Sequence, residues 1–141
     1  MHRLMGAAAA LALMALSAAA SAETWRLGLE EIEGSVQHRY AERFKELVEK
    51  RSDGDITVRL LPYGTWGSTY TALYDAVQNG AIQLGFGSGA LGGTVPESQL
   101  LNLNFVMPAD QWRTAKVLNS DAFLKSEAWQ QSFRQRDLVP L

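Results

Sequence analysis

The sequence of 141 residues has no cysteine, two histidines, four prolines and no excess of charge of one sign, with 13 basic side chains against 15 acidic ones. Each lack excludes something. Without cysteine there is no disulfide framework, no thiol nucleophile and no thiolate metal site. His38 is the sole histidine after the first few residues, so no second ring completes zinc or copper coordination, and any Ser-His-Asp triad would depend on that one ring. Its place among charged residues marks His38 as a solvated helix residue. A formal charge of −2 leaves no basic surface for a phosphate backbone, so nucleic acid is not an expected partner. With 47% hydrophobic and 20% charged residues, the composition fits one folded domain, neither disordered nor fibrous.

Long apolar runs are also missing, except at the start. Residues 1–22 hold 17 apolar residues, ten of them alanine, with Arg3 and no acid. Basic Met1 to Arg3, apolar Leu4 to Leu16 and small Ser17 to Ala22 form the three regions of a secretory signal peptide, with the cut expected between Ala22 and Glu23. The apolar core of about 13 residues falls short of the roughly 20 that span a bilayer, so the chain is expected to be exported and not membrane-spanning. Removal leaves 119 residues, 23–141. Export without cysteine points to a bacterial periplasm, where packing alone supplies stability.

The remaining sequence alternates two periodicities. Trp25, Leu27 and Leu29 follow the period of a strand; Val36, Tyr40, Ala41, Phe44, Leu47 and Val48 form the apolar face of a helix that Ser35 caps and Gly54 closes. Ile56, Val58 and Leu60 predict a second strand, about Ser68 to Asn79 a second helix, and Ile82 to Phe86 a third strand. Strand, helix, strand, helix, strand is the βαβαβ pattern of a parallel α/β sheet flanked by helices. Gly87 to Gly93 reads as a loop, Leu100 to Met107 as an apolar run, and two helices are predicted over about 109–119 and 121–136. The end, Asp137 to Leu141, is strand-like and apolar: it either pairs within the domain or continues into sequence that is missing.

Gly87-Ser88-Gly89-Ala90-Leu91-Gly92 spells Gly-x-Gly-x-x-Gly after a predicted strand. A dinucleotide site needs a helix opening inside that motif, whereas Gly93 and Pro96 continue a loop, so no cofactor is expected. Ser88 also lacks the Gly-x-Ser-x-Gly context of a hydrolase, and no catalytic residue is assigned. The location of the loop is more informative. Ligands of open parallel sheets bind beyond the carboxyl ends of the strands, here Glu30-Glu31, Tyr63 to Trp66 and Gly87 to Leu91. Small glycines admit backbone N–H groups to a ligand, Ser88 adds a hydroxyl, Trp66 or Tyr70 an aromatic wall, and Glu30 or Glu31 an acceptor for a cation. The alternative is ordinary turns with two solvated acids.

Seven segments in order carry a family resemblance: Glu30-Glu31-Ile32-Glu33-Gly34, Tyr40-Ala41-Glu42-Arg43-Phe44, Ser52-Asp53-Gly54-Asp55-Ile56-Thr57-Val58, Leu61-Pro62-Tyr63-Gly64, Val77-Gln78-Asn79-Gly80, Val95-Pro96-Glu97 and Leu103-Asn104-Phe105-Val106-Met107-Pro108. Together they resemble the dicarboxylate-binding P-type substrate-binding subunits of tripartite ATP-independent periplasmic (TRAP) transporters, with the Glu-Glu-x-x-Gly entry most like members that bind ectoine-type zwitterionic compatible solutes. The resemblance implies a two-domain periplasmic binding fold that closes on a small organic acid or zwitterion and delivers it to TRAP permease subunits in the membrane, without enzymatic chemistry. It implies that 23–141 is the N-terminal lobe, truncated before the second lobe and the arginine that pairs with the ligand carboxylate there. By position it implies ligand contacts at Glu31 and at the loop holding Ser88, Gly89 and Leu91; Trp66 joins them as the aromatic wall. The alternative function is a self-sufficient exported ligand-binding or sensor-partner domain.

Overall fold

The computed structural model describes residues 22–67, 69–103 and 105–141. The leader expected over 1–22 lies outside them except for Ala22, as does Ser68, the expected start of the second helix.

Strands β1 (Glu23–Gly28), β2 (Ile56–Leu61) and β3 (Leu84–Gly85) form a sheet of order β2-β1-β3, with both pairings parallel. Helix α1 (Val36–Arg51) links β1 to β2, and α2 (Tyr70–Gln78) links β2 to β3. The predicted βαβαβ unit is present. Ser35 caps α1 by accepting the His38 N–H at 3.1 Å. Past its end, Asp53 and Gly54 both take positive φ, 50° and 86°, so the reversal into β2 uses two left-handed residues where only Gly54 was anticipated.

The alternating residues of the strands meet the apolar stripe of α1: Leu27, Leu29, Ala41 and Val58 are buried together, with Phe44 and Val48 against them. A second cluster joins Leu73 and Tyr74 of α2 to Ile82. At Gly28 the helix comes so close that a Cβ would stand 2.2 Å from Leu73 Cδ1, so a side chain there would force Leu73 to shift.

The outer edge of β2 is covered by side chains. Leu29 N–H donates to the Leu61 carbonyl at 2.8 Å, which turns the backbone groups of Ile56, Val58 and Leu60 away from β1. Ser52 Oγ accepts from Ile56 N–H at 3.1 Å, Glu49 Oε1 accepts from Val58 N–H at 2.9 Å, and Lys45 Nζ donates to the Val58 carbonyl at 2.8 Å. Lys45 and Glu49 also pair at 3.2 Å. Two residues of α1 and its C-cap Ser52 thus take the place of a neighbouring strand and blunt an edge that would otherwise invite pairing. The Val58 N–H, with help from Lys45, holds the Glu49 carboxyl below its usual value of 4.5.

Several expectations need correction. The third strand does not run over Ile82 to Phe86, because its first residues bond elsewhere: Ile82 N–H goes to the Ala76 carbonyl at 3.0 Å, and the Gln83 side chain takes the Arg26 N–H, a ladder position, at 3.0 Å. Gly87 to Gly93 is not a plain loop: Ser88 caps a 3-10 turn over Gly89–Gly93, followed by another over Pro96–Asn102. The helix predicted over 109–119 is α3 (Gln111–Leu118), capped by Asp110; that over 121–136 is divided at Lys125 and Ser126 into α4 (Asp121–Leu124) and α5 (Glu127–Arg134). The end is no strand: Asp137 has φ 54°, Leu138 packs on Val95 and Phe133, and Val139 and Leu141 are exposed. Leu100, Leu101, Leu103, Phe105, Val106 and Trp112 are exposed too. His38 is only partly solvated: its side chain is 16% exposed, with Nδ1 3.7 Å from Glu42.

Because the folded-state Glu49 carboxyl sits below its unfolded value, its stabilising contribution is present above pH 4.5 and lost as pH falls through the lower folded value. Glu49→Gln is therefore expected to lower the thermal midpoint at pH 7, with the deficit shrinking below pH 4.5 in a calorimetric pH series. A deficit independent of pH would contradict this.

Candidate functional site

Parallel pairing brings the carboxyl ends of all three strands to one edge of the sheet, the edge at which open α/β folds hold ligands. Three consecutive residues leaving β1 have three different environments. Leu29 is fully buried, Glu30 is 5% exposed, and Glu31 is in solvent.

The Tyr74 hydroxyl of α2 donates to Glu30 Oε1. Glu30 Oε2 is buried and has no partner among the described residues. Burial, and then the Glu30 carboxylate, push the Tyr74 phenol well above its ordinary value of 10, while the backbone and hydroxyl of Ser88 act on it in the opposite sense. Tyr74 therefore remains a neutral donor at any pH the fold experiences, and it stands between the loop after β1 and the loop after β3.

The main chain of the acid pair is clamped from both sides. Gln37 Oε1, in the first turn of α1, accepts from Glu30 N–H at 2.8 Å and from Glu31 N–H at 3.2 Å. The Glu31 carbonyl accepts the Tyr63 N–H at 3.0 Å. A fixed backbone thus carries an exposed Glu31 side chain with no partner among the described residues, while Glu30 points inward.

Beyond β2, Gly64 at φ 88° turns the chain so that three aromatic rings gather. Tyr63 meets Trp66 edge-on at 6.0 Å and Tyr70 at 5.4 Å. Trp66 Nε1 donates to the Leu29 carbonyl at 2.8 Å, which ties this cluster to the residue before the acid pair. Aromatic faces beside a carboxylate favour a cation, preferably one carrying N–H donors.

After β3, Phe86 N–H bonds the Gly28 carbonyl at 3.0 Å and leads into the glycine segment. Here glycine serves packing between turns: a Cβ at Gly87 would lie 2.9 Å from Leu91 Cδ2, and one at Gly92 would lie 2.6 Å from Gln99 Cγ. Gly89 is exposed, next to Asn102. The Leu91 side chain packs against the clusters of Tyr74 and Phe133. Of the residues expected from sequence, Glu31, Trp66 and Ser88 come to the same edge, Gly89 opens the 3-10 turn there, and Leu91 faces inward. Sequence reasoning missed Gln37 and Tyr74. A phenol on the apolar face of a helix must find a hydrogen-bond partner when buried, and that was the signal available for Tyr74.

A concavity of about 450 Å³ lies between α1 and β2, lined by His38, Glu42, Lys45 and residues 57–60. Of its charged groups, His38 lies by Glu42 and Lys45 bonds Glu49 and the Val58 carbonyl, while the Arg59 side chain has no partner among the described residues. It runs along the outer edge of β2 and not beyond the strand ends. Among the described residues no cluster of His, Asp and Glu could hold a metal, and no helix is long and apolar enough to cross a membrane.

A parallel α/β lobe with an acid and aromatic rings at its carboxyl edge has the form of a ligand-binding lobe. The chain belongs to the DctP family, the bacterial extracellular solute-binding proteins of family 7, whose pattern it matches over residues 27–141. It is 40% identical over 111 residues to the ectoine/5-hydroxyectoine-binding periplasmic protein UehA of Ruegeria pomeroyi, covering 78% of this chain and 32% of that protein. With the ectoine-binding periplasmic protein TeaA of Halomonas elongata it shares 34% identity over 111 residues, 77% of this chain and 32% of the other. Among solved structures, a TRAP periplasmic solute-binding protein from Marinobacter aquaeolei, in an apo open form, superimposes with a TM-score of 0.70 at 42% identity, over 79% of this chain and 35% of that one. The chain spans about a third of the length of the curated relatives it matches.

Trp66→Phe keeps a ring beside Tyr63 but removes the bond to Leu29, and is expected to lower unfolding free energy by about 0.5–1.5 kcal/mol in urea titrations. No loss would mean that the indole N–H does not anchor the aromatic cluster.

Proposed function

We propose that residues 23–141 form the first lobe of a periplasmic TRAP solute-binding subunit, exported by a leader cleaved after Ala22, that captures a small zwitterionic or carboxylate solute and hands it to the membrane permease. The observation that carries this reading is the clamped Glu31: its N–H and carbonyl are held by Gln37 and Tyr63, its side chain is exposed, and Tyr63 is itself part of the ring cluster with Trp66 and Tyr70. The ectoine-binding relatives support the solute class.

Glu31 and the aromatic rings would take the cationic part of the solute. Ser88 and the N–H groups around Gly89 would meet its polar rim, with Leu91 supporting that loop from behind. A solute carboxylate would be repelled by Glu31 and needs a basic partner from a second lobe. Two half-sites on separate lobes make closure the mechanism, because contacts made only in the closed state favour it by that differential affinity. Binding and release then involve no covalent step.

In a protein carrying both lobes, Glu31→Gln is expected to weaken ectoine binding by about 1–3 kcal/mol, the range for a charged hydrogen bond, in calorimetric titration. Unchanged affinity would remove Glu31 from the site.

A further inference from the structure

Two links converge on Tyr74. Its hydroxyl donates to Glu30 Oε1, and its ring is buried with Leu73 and Ile82, with Leu91 of the segment after β3 packed against them. The second Glu30 oxygen has no protein donor among the described residues. The orientation of the Glu30 side chain therefore rests on one bond, and the backbone step from Glu30 to Glu31 is shared through the single Gln37 oxygen. Glu30 is buried, so a carboxylate that loses the phenol has neither oxygen bonded to a donor among the described residues, a cost that a shift of the Glu30–Glu31 backbone step can relieve. The neighbouring residue that moves with it is Glu31.

We infer that Tyr74 is a positioning residue for cation recognition: by holding Glu30 inward it fixes the direction in which Glu31 is presented. This rests on Glu31 as the cationic contact proposed above. The ligand class it serves is an amidinium or other planar cation with N–H donors, since a carboxylate of fixed direction discriminates in favour of directional donors over a spherical charge. Glu30 and Glu31 thus divide their work, the first as anchor and the second as contact. Tyr74 does not touch the solute.

The test uses the full chain labelled with 13C at the glutamate carboxyl, with the Glu30 and Glu31 resonances assigned by Glu30→Gln and Glu31→Gln. Acetamidinium chloride is the probe, with sodium chloride at equal ionic strength as control and the exposed Glu33 as internal reference. In the wild-type chain the Glu31 resonance is expected to move saturably with acetamidinium and not with sodium. In Tyr74→Phe the Glu30 resonance is expected to shift before any addition, and the apparent affinity read at Glu31 to fall about fivefold, the loss of one hydrogen bond's worth of alignment. A general loss of stability would not move the Glu31 response in protein that remains folded. Should Tyr74→Phe not fold, replacement of tyrosine by 3-fluorotyrosine, a stronger donor, is expected to shift the Glu30 resonance without removing the Glu31 response. An equal Glu31 response in Tyr74→Phe, or a Glu30 resonance indifferent to fluorination, overturns the inference and leaves the binding site standing. A wild-type Glu31 that follows Glu33 overturns the site itself, and the role of Tyr74 with it.

Discussion

A carboxylate taken out of water at the end of the central strand organises this edge of the molecule. Leaving Glu30 buried and unpaired would cost several kcal/mol, and the one donor that reaches it among the described residues is the Tyr74 phenol. That donor comes from α2, whose Leu73 side chain closes on the bare Cα of Gly28. Close packing of helix on strand thus brings the phenol to the carboxylate. The same buried step from Leu29 to Glu30 fixes the loop after β2, through the Trp66 bond to the Leu29 carbonyl. Three loops owe their relative placement to two residues.

The consequence for function is a division between neighbours. Two acids in sequence look interchangeable, yet the pleat of β1 sends Glu30 inward and leaves Glu31 outside with its backbone held at both ends. A side chain on a fixed main chain loses little freedom when it meets a ligand, which favours binding without added contact area. The outer edge of β2 has the opposite character. There the Lys45 and Glu49 charges are spent on the strand itself, closing an edge that could otherwise pair with another chain.

Most of the architecture was legible because it is periodic. Alternation at Trp25, Leu27 and Leu29, the stripe from Val36 to Val48, and the stops at Ser35 and Gly54 are local signals, and the parallel βαβαβ unit follows from their order. What local signals could not show was competition for hydrogen bonds. Gln83 spends its side chain on a ladder position and shortens β3; Ser88 and Ala90 bond locally and wind the glycine segment into a 3-10 turn. At the site, Glu31, Trp66 and Ser88 could be named because strand ends converge in any parallel sheet. Gln37 and Tyr74 could not, since each contributes through a partner on another element that only the folded chain brings near.

The central claim is that the carboxyl edge, and not the groove between α1 and β2, receives the solute. Amide chemical-shift mapping of the folded chain titrated with ectoine tests it most directly. The account predicts perturbations gathered at Glu30 and Glu31, from Tyr63 to Tyr70, and from Gly87 to Leu91. Perturbations gathered instead at His38, Glu42, Lys45 and residues 57–60, with the carboxyl edge silent, would contradict it.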